Sequence, residues 1–452
     1  MKAYAELARH DGNNTLFEVV EMGIISMLWN VPLHIHAEGL RGTGKTTIMR
    51  ASRQIMPPIV RIKSCLYNCD PKNPHCPNHR HLAKEEIAAI GSETVPRPFL
   101  EISHSAKIGT IAGSIDLQRI TNSRNPEAAL LPGIIPQAHR GVIFIDELNR
   151  LADTSPEITD ILLDVMGTKP GRVQIEETGL PVVEMPVQVS VWAASNPDEE
   201  PGPLQEIRRQ LSDRFDLVVE MGRTTSPDAI ADILVQSEQL RLGKDNVTKK
   251  SIDHSTRLQR EMSSISNKFQ ALTMPDYLRS FIARLYVKYN LESFRAIEAI
   301  QHAAILHCAL RQRDQILVSD ILKVVPLALK HRIDIETLTK IMNSSDTKPS
   351  GGDTGGIPAM NFSAQDKKKE PATSFPEYES NVATGLANAE PTAPKKDNSF
   401  FKPLKQLFGG KHEKAEPETP TNDPVKASPL NKAKRLPDLN LDELVKSEGD
   451  FK

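Results

Sequence analysis

The stretch Gly39-Leu40-Arg41-Gly42-Thr43-Gly44-Lys45-Thr46 matches the phosphate-loop pattern G-x-x-x-x-G-K-[ST] at every fixed position. Phosphate oxygens need backbone N–H groups pointed at them, and glycines let the backbone come that close. Lys45 can then reach the β- and γ-phosphates as a point charge, and the Thr46 hydroxyl can ligate Mg²⁺. A second stretch, Gly141-Val-Ile-Phe-Ile-Asp146-Glu147, sets two carboxylates behind a run of apolar residues. Asp146 would hold the Mg²⁺ of an ATP complex, directly or through water. Glu147 would orient and deprotonate the attacking water. The alternative, two solvated acids at a strand end, loses ground because a matching phosphate loop precedes them.

Three further residues carry open readings. Asn196 ends the run Val187-Gln-Val-Ser-Val-Trp-Ala-Ala-Ser-Asn196. Its amide can hold the water from the side opposite Glu147, although Asn-Pro by itself is only a turn former. Arg214 stands just before the apolar run Leu217–Val219. It can reach the γ-phosphate of a neighbouring subunit or pair with Asp213 or Asp216, and spacing alone favours the pairing. Arg295, in Leu-Glu-Ser-Phe-Arg-Ala-Ile, falls at a helix start from which a lid domain can turn it toward nucleotide. Separately, Cys65, Cys69, Cys76 and His79 could make a four-ligand zinc site, and Cys76-x-x-His79 has a usable spacing. The first pair is separated by three residues and no second C-x-x-C follows. On spacing alone, a polar insert that binds nothing is the safer reading.

These residues need elements to position them. Pro32 to Ala37 reads as a short buried strand, and Thr46 to Ile55 as the helix whose N-terminus faces the anion. Ahead of them, Phe17, Val20, Ile24 and Leu28 recur at helical spacing, a core-facing stripe. Residues 1–31 can also contribute to an adenine pocket, but nothing among them singles this out. Arg97 to Ser103 reads as a second strand, followed by loops and a hairpin around a helix. Val142 to Ile145 marks a strand buried on both faces of a parallel sheet. Its acids fall at the C-terminal end, where ligands bind in such sheets. Ile230, Ile233 and Leu234, then Leu278, Ile282 and Leu285, indicate a helical domain. From about Asn343 the chain turns to Pro, Lys, Glu, Ser and Asn, too little apolar surface to offset ordering entropy. Within this tail, Phe400–Phe408 and Leu436–Leu444 are either motifs that fold on a partner or sticky residues without function.

With 452 residues the chain has room for about three domains. A net charge of −2 gives no global field for nucleic acid or membrane. Four cysteines in a chain of this size are not a disulfide framework. The opening Met-Lys-Ala-Tyr-Ala-Glu-Leu lacks the apolar core of a signal peptide. The most apolar early stretch, Val19 to Ala37, is interrupted by Glu21, Asn30, Pro32, His34 and His36, which argues against a membrane span. A cytoplasmic protein is expected.

Taken together, several stretches resemble the ATPase subunit (subunit I type) of magnesium chelatase and its bacterial relatives. They are Gly39–Thr46, Tyr67–Pro71, Gly113–Asp116, Leu131–Ile135, Ala138–Asn149, Ser195–Glu200, Leu211–Leu217 and Pro326–Arg332. The resemblance covers roughly residues 15–335. It implies an α/β fold: an AAA+ P-loop NTPase core with a parallel sheet at 1–222 and an α-helical lid at 223–343. The tail at 344–452, expected to be disordered from its composition, has no counterpart in the typical chelatase subunit. It implies a hexameric ring with ATP and Mg²⁺ at subunit interfaces. Asn196 would be the first sensor, Arg214 the arginine finger and Arg295 the second sensor. A separate partner carrying a von Willebrand A domain is implied, and a large catalytic subunit that inserts Mg²⁺ into protoporphyrin IX. This chain reads Trp-Ala-Ala-Ser-Asn-Pro where the family usually has Gly-Thr-Met-Asn-Pro, and Glu-Ser-Phe-Arg-Ala where it usually has Gly-x-Arg. The alternative is a MoxR-like ATPase that remodels or metallates another protein, also with a von Willebrand A partner. Two more distant readings are a nucleotide-gated scaffold, which Glu147 and Arg214 argue against, and a DNA-translocating ring, which the absence of a basic stripe argues against.

Overall fold

Five parallel strands organise residues 3–115, 130–176, 182–242 and 249–343, which the computed structural model describes. The tail 344–452, with its Phe400–Phe408 and Leu436–Leu444 stretches, lies outside the described residues. In chain order the strands are β1 (Ile35–Gly39), β2 (Ile59–Ile62), β3 (Ser92–Val95), β4 (Phe99–Ile102), β5 (Gly113–Ile115) and β6 (Leu130–Pro132). Then come β7 (Gly141–Ile145), β8 (Gly171–Ile175), β9 (Val183–Val187), β10 (Val189–Ser195) and β11 (Leu217–Met221). The main sheet runs β11-β1-β10-β7-β4, all parallel. The pairs β2–β3, β5–β6 and β8–β9 are antiparallel.

Every residue of β1, β7 and β10 is buried, as a parallel sheet covered on both faces requires. Alternate side chains feed two cores. Val142, Phe144, Trp192 and Ala194 join one, and Ile143, Ile145, Val191 and Ala193 the other. The first core is closed by the helix Asn14–Leu28, whose predicted stripe residues Phe17, Val20 and Ile24 are fully buried. That helix lies hard against the sheet at Gly23. A Cβ there would stand 2.8 Å from the Trp192 ring and 2.9 Å from Ile35 Cδ1. The second core is closed by Leu148–Thr154 and Pro156–Val165.

The helices after β11 include Phe294–Leu310 and Val318–Leu329. Small residues Ala299, Ala303 and Ala304 and aliphatic Val324, Val325 and Leu329 bring them into the same core as Asn14–Leu28. Polar ties add to this packing. Lys330 reaches Glu220 at 2.7 Å and Glu38 at 3.5 Å. Arg332 pairs with Asp213 at 3.0 Å and donates to the carbonyl oxygens of Asp213 and Phe215.

The first strand starts later than the apolar run suggests. The Leu33 N–H goes to Ser190 Oγ at 3.2 Å and the His34 N–H to Asp216 Oδ2 at 2.8 Å, so the ladder begins at Ile35. The helix after the phosphate loop runs Lys45–Ala51 and tightens into a 3₁₀ turn at Ser52–Ile55. The β2–β3 pair has no counterpart in the sequence reading. Among the described residues no helix is long and apolar enough to cross a membrane.

Candidate functional site

The C-terminal ends of β1, β10 and β7 lie side by side and deliver the phosphate loop, Asn196, and the pair Asp146–Glu147 to one edge of the sheet. Gly42 (φ 76°) and Gly44 (φ 87°) are left-handed, and a Cβ on either would meet nothing within 4 Å. Glycine is therefore needed for the backbone angle, and the space above it is an open cradle. Lys45 opens the helix and is buried. Its ammonium donates to Gly39 O at 2.6 Å, Leu40 O at 2.8 Å and Asn196 Oδ1 at 2.9 Å. Burial lowers its pKa, with the Asp146 and Glu199 charges opposing the shift. The Thr46 hydroxyl donates to Asp146 Oδ1 at 3.1 Å, so the two oxygens that would share a divalent cation already face each other.

Glu147 is a backbone outlier, with φ 48° and ψ 50° on a residue that is not glycine. Such a conformation costs on the order of 1–3 kcal/mol and persists only when its surroundings enforce it. Here the Glu147 N–H donates to Asp146 Oδ1 at 3.2 Å, and His104 Nε2 lies 3.3 Å from its carbonyl oxygen. The result turns the Glu147 carboxylate outward, half-exposed, with Arg150 at 3.4 Å. Asn149 Nδ2 holds the Asn196 carbonyl at 3.3 Å and so ties the ends of β7 and β10 together. Arg41 pairs with Glu199 beyond β10. A polyphosphate with a divalent cation fits this donor set: open N–H groups, a buried ammonium, and a hydroxyl–carboxylate pair.

Beside the loop is a cleft of about 920 Å³. Its far wall is Leu7, Ala8, His10, Asn13, Arg223 and Ile230. Asn13 shapes that wall, donating to Ala8 O at 2.9 Å and accepting from His10 N–H at 2.9 Å. A mostly apolar cleft with a few polar groups suits a nucleoside. These residues went unassigned in the sequence because they follow no repeat or motif; only the tertiary fold brings them to the phosphate loop.

Arg214 and Arg295 are placed differently. Arg214 lies three positions before Leu217, which is level with Ile35, at the N-terminal edge of the sheet. Its two candidate surface partners are taken: Asp216 by Lys169 at 2.8 Å and Asp213 by Arg332. Among the described residues the Arg214 guanidinium has no partner at hydrogen-bond or ion-pair distance, and burial and then the nearby Arg295 charge lower its pKa. Arg295 sits in the first turn of Phe294–Leu310, as its sequence context indicates. Its guanidinium donates to the carbonyls of Met166 (3.2 Å) and Gly167. It also lines a second cleft of about 590 Å³ with Arg209 and Arg332. The phosphate loop follows the other end of β1, five residues long, or ~17 Å away at about 3.3 Å per residue. The structure thus gathers the phosphate loop, Asp146, Glu147 and Asn196 at one edge and the two arginines at the opposite one.

The remaining predicted residues, Cys65, Cys69, Cys76 and His79, converge in the loop between β2 and the helix Lys84–Ile90, with their ligand atoms mutually within 4.8 Å.

Comparison with known proteins agrees with this architecture. The AAA lid domain family matches residues 279–349. The magnesium-chelatase 38 kDa subunit of Acidiphilium rubrum is 28% identical over 66% of this chain and 82% of its own length. The 38 kDa subunit of Chlorobaculum parvum is 26% identical over 67% of this chain and 84% of its own. The chloroplastic magnesium-chelatase subunit ChlI of Oryza sativa subsp. indica is 27% identical over 67% of this chain and 70% of its own. With a parallel sheet that carries a phosphate loop and a matched lid, the chain has the α/β fold of the AAA+ ATPases and resembles the ATPase subunits of magnesium chelatase.

Proposed function

We propose that this chain is an ATP-hydrolysing ring subunit of a magnesium-chelatase-type assembly. The observation that supports it best is the cluster at the ends of β1, β10 and β7, where Thr46 meets Asp146 at 3.1 Å and Lys45 meets Asn196 at 2.9 Å. Gly39 to Thr46 hold the phosphates through backbone N–H groups, and Lys45 adds its charge at the β- and γ-oxygens. Thr46 and Asp146 hold Mg²⁺, which supplies charge neutralisation on the phosphates. Glu147 takes the proton of the attacking water, and Asn196 orients that water from the other side. Leu7, Ala8, His10 and Asn13 receive the nucleoside.

Arg214 and Arg295 serve the nucleotide of the neighbouring subunit. Their place at the sheet edge opposite their own phosphate loop supports action in trans, since an arginine cannot span that distance. The ring is a homo-oligomer, hexameric by resemblance, and its partners are a protein with a von Willebrand A domain and a large catalytic subunit. Movement reaches them through the lid. Glu38, next to Gly39 of the phosphate loop, pairs with Lys330 beyond Val318–Leu329, so a shift at the phosphates is felt one residue from a lid contact. On this reading the assembly inserts Mg²⁺ into protoporphyrin IX only when ring, partner and catalytic subunit are combined with hydrolysable ATP. Insertion at the same rate with a non-hydrolysable analogue would reject it.

A further inference from the structure

We propose that Cys65, Cys69, Cys76 and His79 bind one structural zinc ion. A tetrahedral zinc has sulfur ligands at about 2.3 Å and nitrogen at about 2.0–2.1 Å, which sets ligand–ligand separations of roughly 3.5–3.8 Å. The three Sγ atoms and the His79 nitrogen all lie within 4.8 Å of one another, and Cys76 Sγ is 3.1 Å from His79 Nδ1. That spacing leaves room for one ion and not for an iron–sulfur cluster. Three thiolates and an imidazole form a zinc donor set. All three cysteines are free thiols and buried, Cys69 and Cys76 at 0% exposure, whereas His79 reaches the surface.

The backbone is arranged for the metal as well. Cys76 O accepts the N–H of His79 at 3.1 Å and of Arg80 at 3.0 Å, a turn that sets the Cys76 and His79 side chains on one side. Cys69 Sγ accepts the N–H groups of His75 and Cys76, each at 3.4 Å, and faces His75 Nδ1 at 3.3 Å. Donors aimed at a sulfur stabilise thiolate over thiol and orient it, as the outer shell of a metal site does.

The loop also needs a staple. Between Ile62 and Lys84 it has no helix or strand beyond the isolated bridge Asp70–Asn73, yet it buries Cys65, Tyr67, Cys69 and Cys76 in the second core. Loops of this length seldom hold a single shape without such a constraint. Around the cluster, Asn68 Nδ2 donates to Gln137 O at 2.6 Å, Arg140 pairs with Asp70 at 3.6 Å, and the His75 ring stacks on His139 at 3.7 Å. Those contacts fall just before β7, whose far end carries Asp146 and Glu147. Zinc in this loop braces the entry of that strand. It is a fixed structural ion, since a buried set of thiolates does not release metal readily.

The full chain, purified without chelators, should contain about one zinc equivalent by elemental analysis. Titration of the wild-type thiols with p-hydroxymercuribenzoate should release that zinc to a chromogenic chelator and lower the melting temperature. Cobalt exchanged into the wild-type protein should show the visible bands of a tetrahedral thiolate site. Cys69→Ser and His79→Ala should lose zinc, while His81→Ala, outside the cluster, should keep it. Zinc well below one equivalent in the wild type overturns the proposal. So does iron in its place, a disulfide among these cysteines by mass spectrometry, or mercurial titration without metal release. All four of these measurements use the wild-type chain, so they decide the matter even if the variants fail to fold.

Discussion

Replacing Arg214 with Ala should leave ATP binding unchanged and slow hydrolysis by a factor on the order of 10³–10⁵, or about 4–7 kcal/mol of transition-state stabilisation. Arg214 lies at the N-terminal edge of β11 and the phosphate loop at the C-terminal edge of β1, ~17 Å apart within one chain. A role in hydrolysis must therefore be exercised on a neighbour's nucleotide across a head-to-tail interface. Mixed rings test this with a number. Arg214→Ala subunits carry an intact phosphate loop, and Lys45→Ala subunits carry an intact arginine. In a random equal mixture about a quarter of the interfaces combine an intact loop with an intact arginine from its neighbour, so about a quarter of wild-type activity returns. Each variant alone stays near zero. ATP turnover across a range of mixing ratios, with ring assembly followed by light scattering, is the assay. Assembled mixed rings that stay inactive at every ratio would refute the placement of Arg214 in trans.

Other expectations follow from individual contacts. Lys45→Ala should abolish hydrolysis and weaken ATP binding, because the ammonium that joins the loop carbonyls to Asn196 is lost; unchanged binding by calorimetry would contradict its phosphate role. Trp192→Ala should destabilise the chain by about 3–5 kcal/mol, since the ring is fully buried between Gly23 and Phe99 and its Nε1 donates to Leu33 O. Denaturant titration gives that figure, and a loss below about 1 kcal/mol would contradict the packing role. Stability should also fall with acidification. Burial holds His34 down to about 3 and His36 and His302 to about 4, all below the ordinary value near 6.5. Their stabilising effect is complete above pH 6.5. Below that the unfolded chain takes up protons the folded chain refuses, so stability is lost as the pH falls toward 4, by up to ~1.4 kcal/mol per pH unit for each histidine. Unfolding free energies that stay flat from pH 7 to 5 would count against their burial as neutral rings.

The two motifs at the heart of the site were legible because their chemistry is local. A phosphate loop carries its own glycines and lysine, and the run Val142–Ile145 announces a strand buried on both faces, with its acids at the ligand end. Asn196 could be placed for the same reason, as the residue just past β10. What the sequence could not give was direction across the fold. Arg295 reads correctly as a first-turn helical residue, but only the packing of that helix shows it turned toward the Met166 and Gly167 carbonyls at the far edge. The pairing of Arg214 with a neighbouring aspartate was the safer reading on spacing, and it fails because Lys169 and Arg332 occupy those aspartates from far along the chain. The His10–Asn13 wall and the Glu38–Lys330 tie are invisible for a like reason: each joins segments with no shared pattern. The cysteine loop is the sharpest case. Its spacings are irregular in sequence, and a turn at Cys76–His79 with N–H groups aimed at Cys69 turns them into a compact set.

On the proposed function, this edge of the sheet hydrolyses ATP with Glu147 as the base. The most direct measurement compares wild type and Glu147→Gln, with Mg²⁺, for nucleotide affinity and turnover on the same preparations. Gln keeps the size and the left-handed turn but cannot accept the proton. The expected result is ATP affinity within about threefold of wild type, with turnover lowered at least about a hundredfold. Equal turnover by the two proteins would rule out Glu147 as the base.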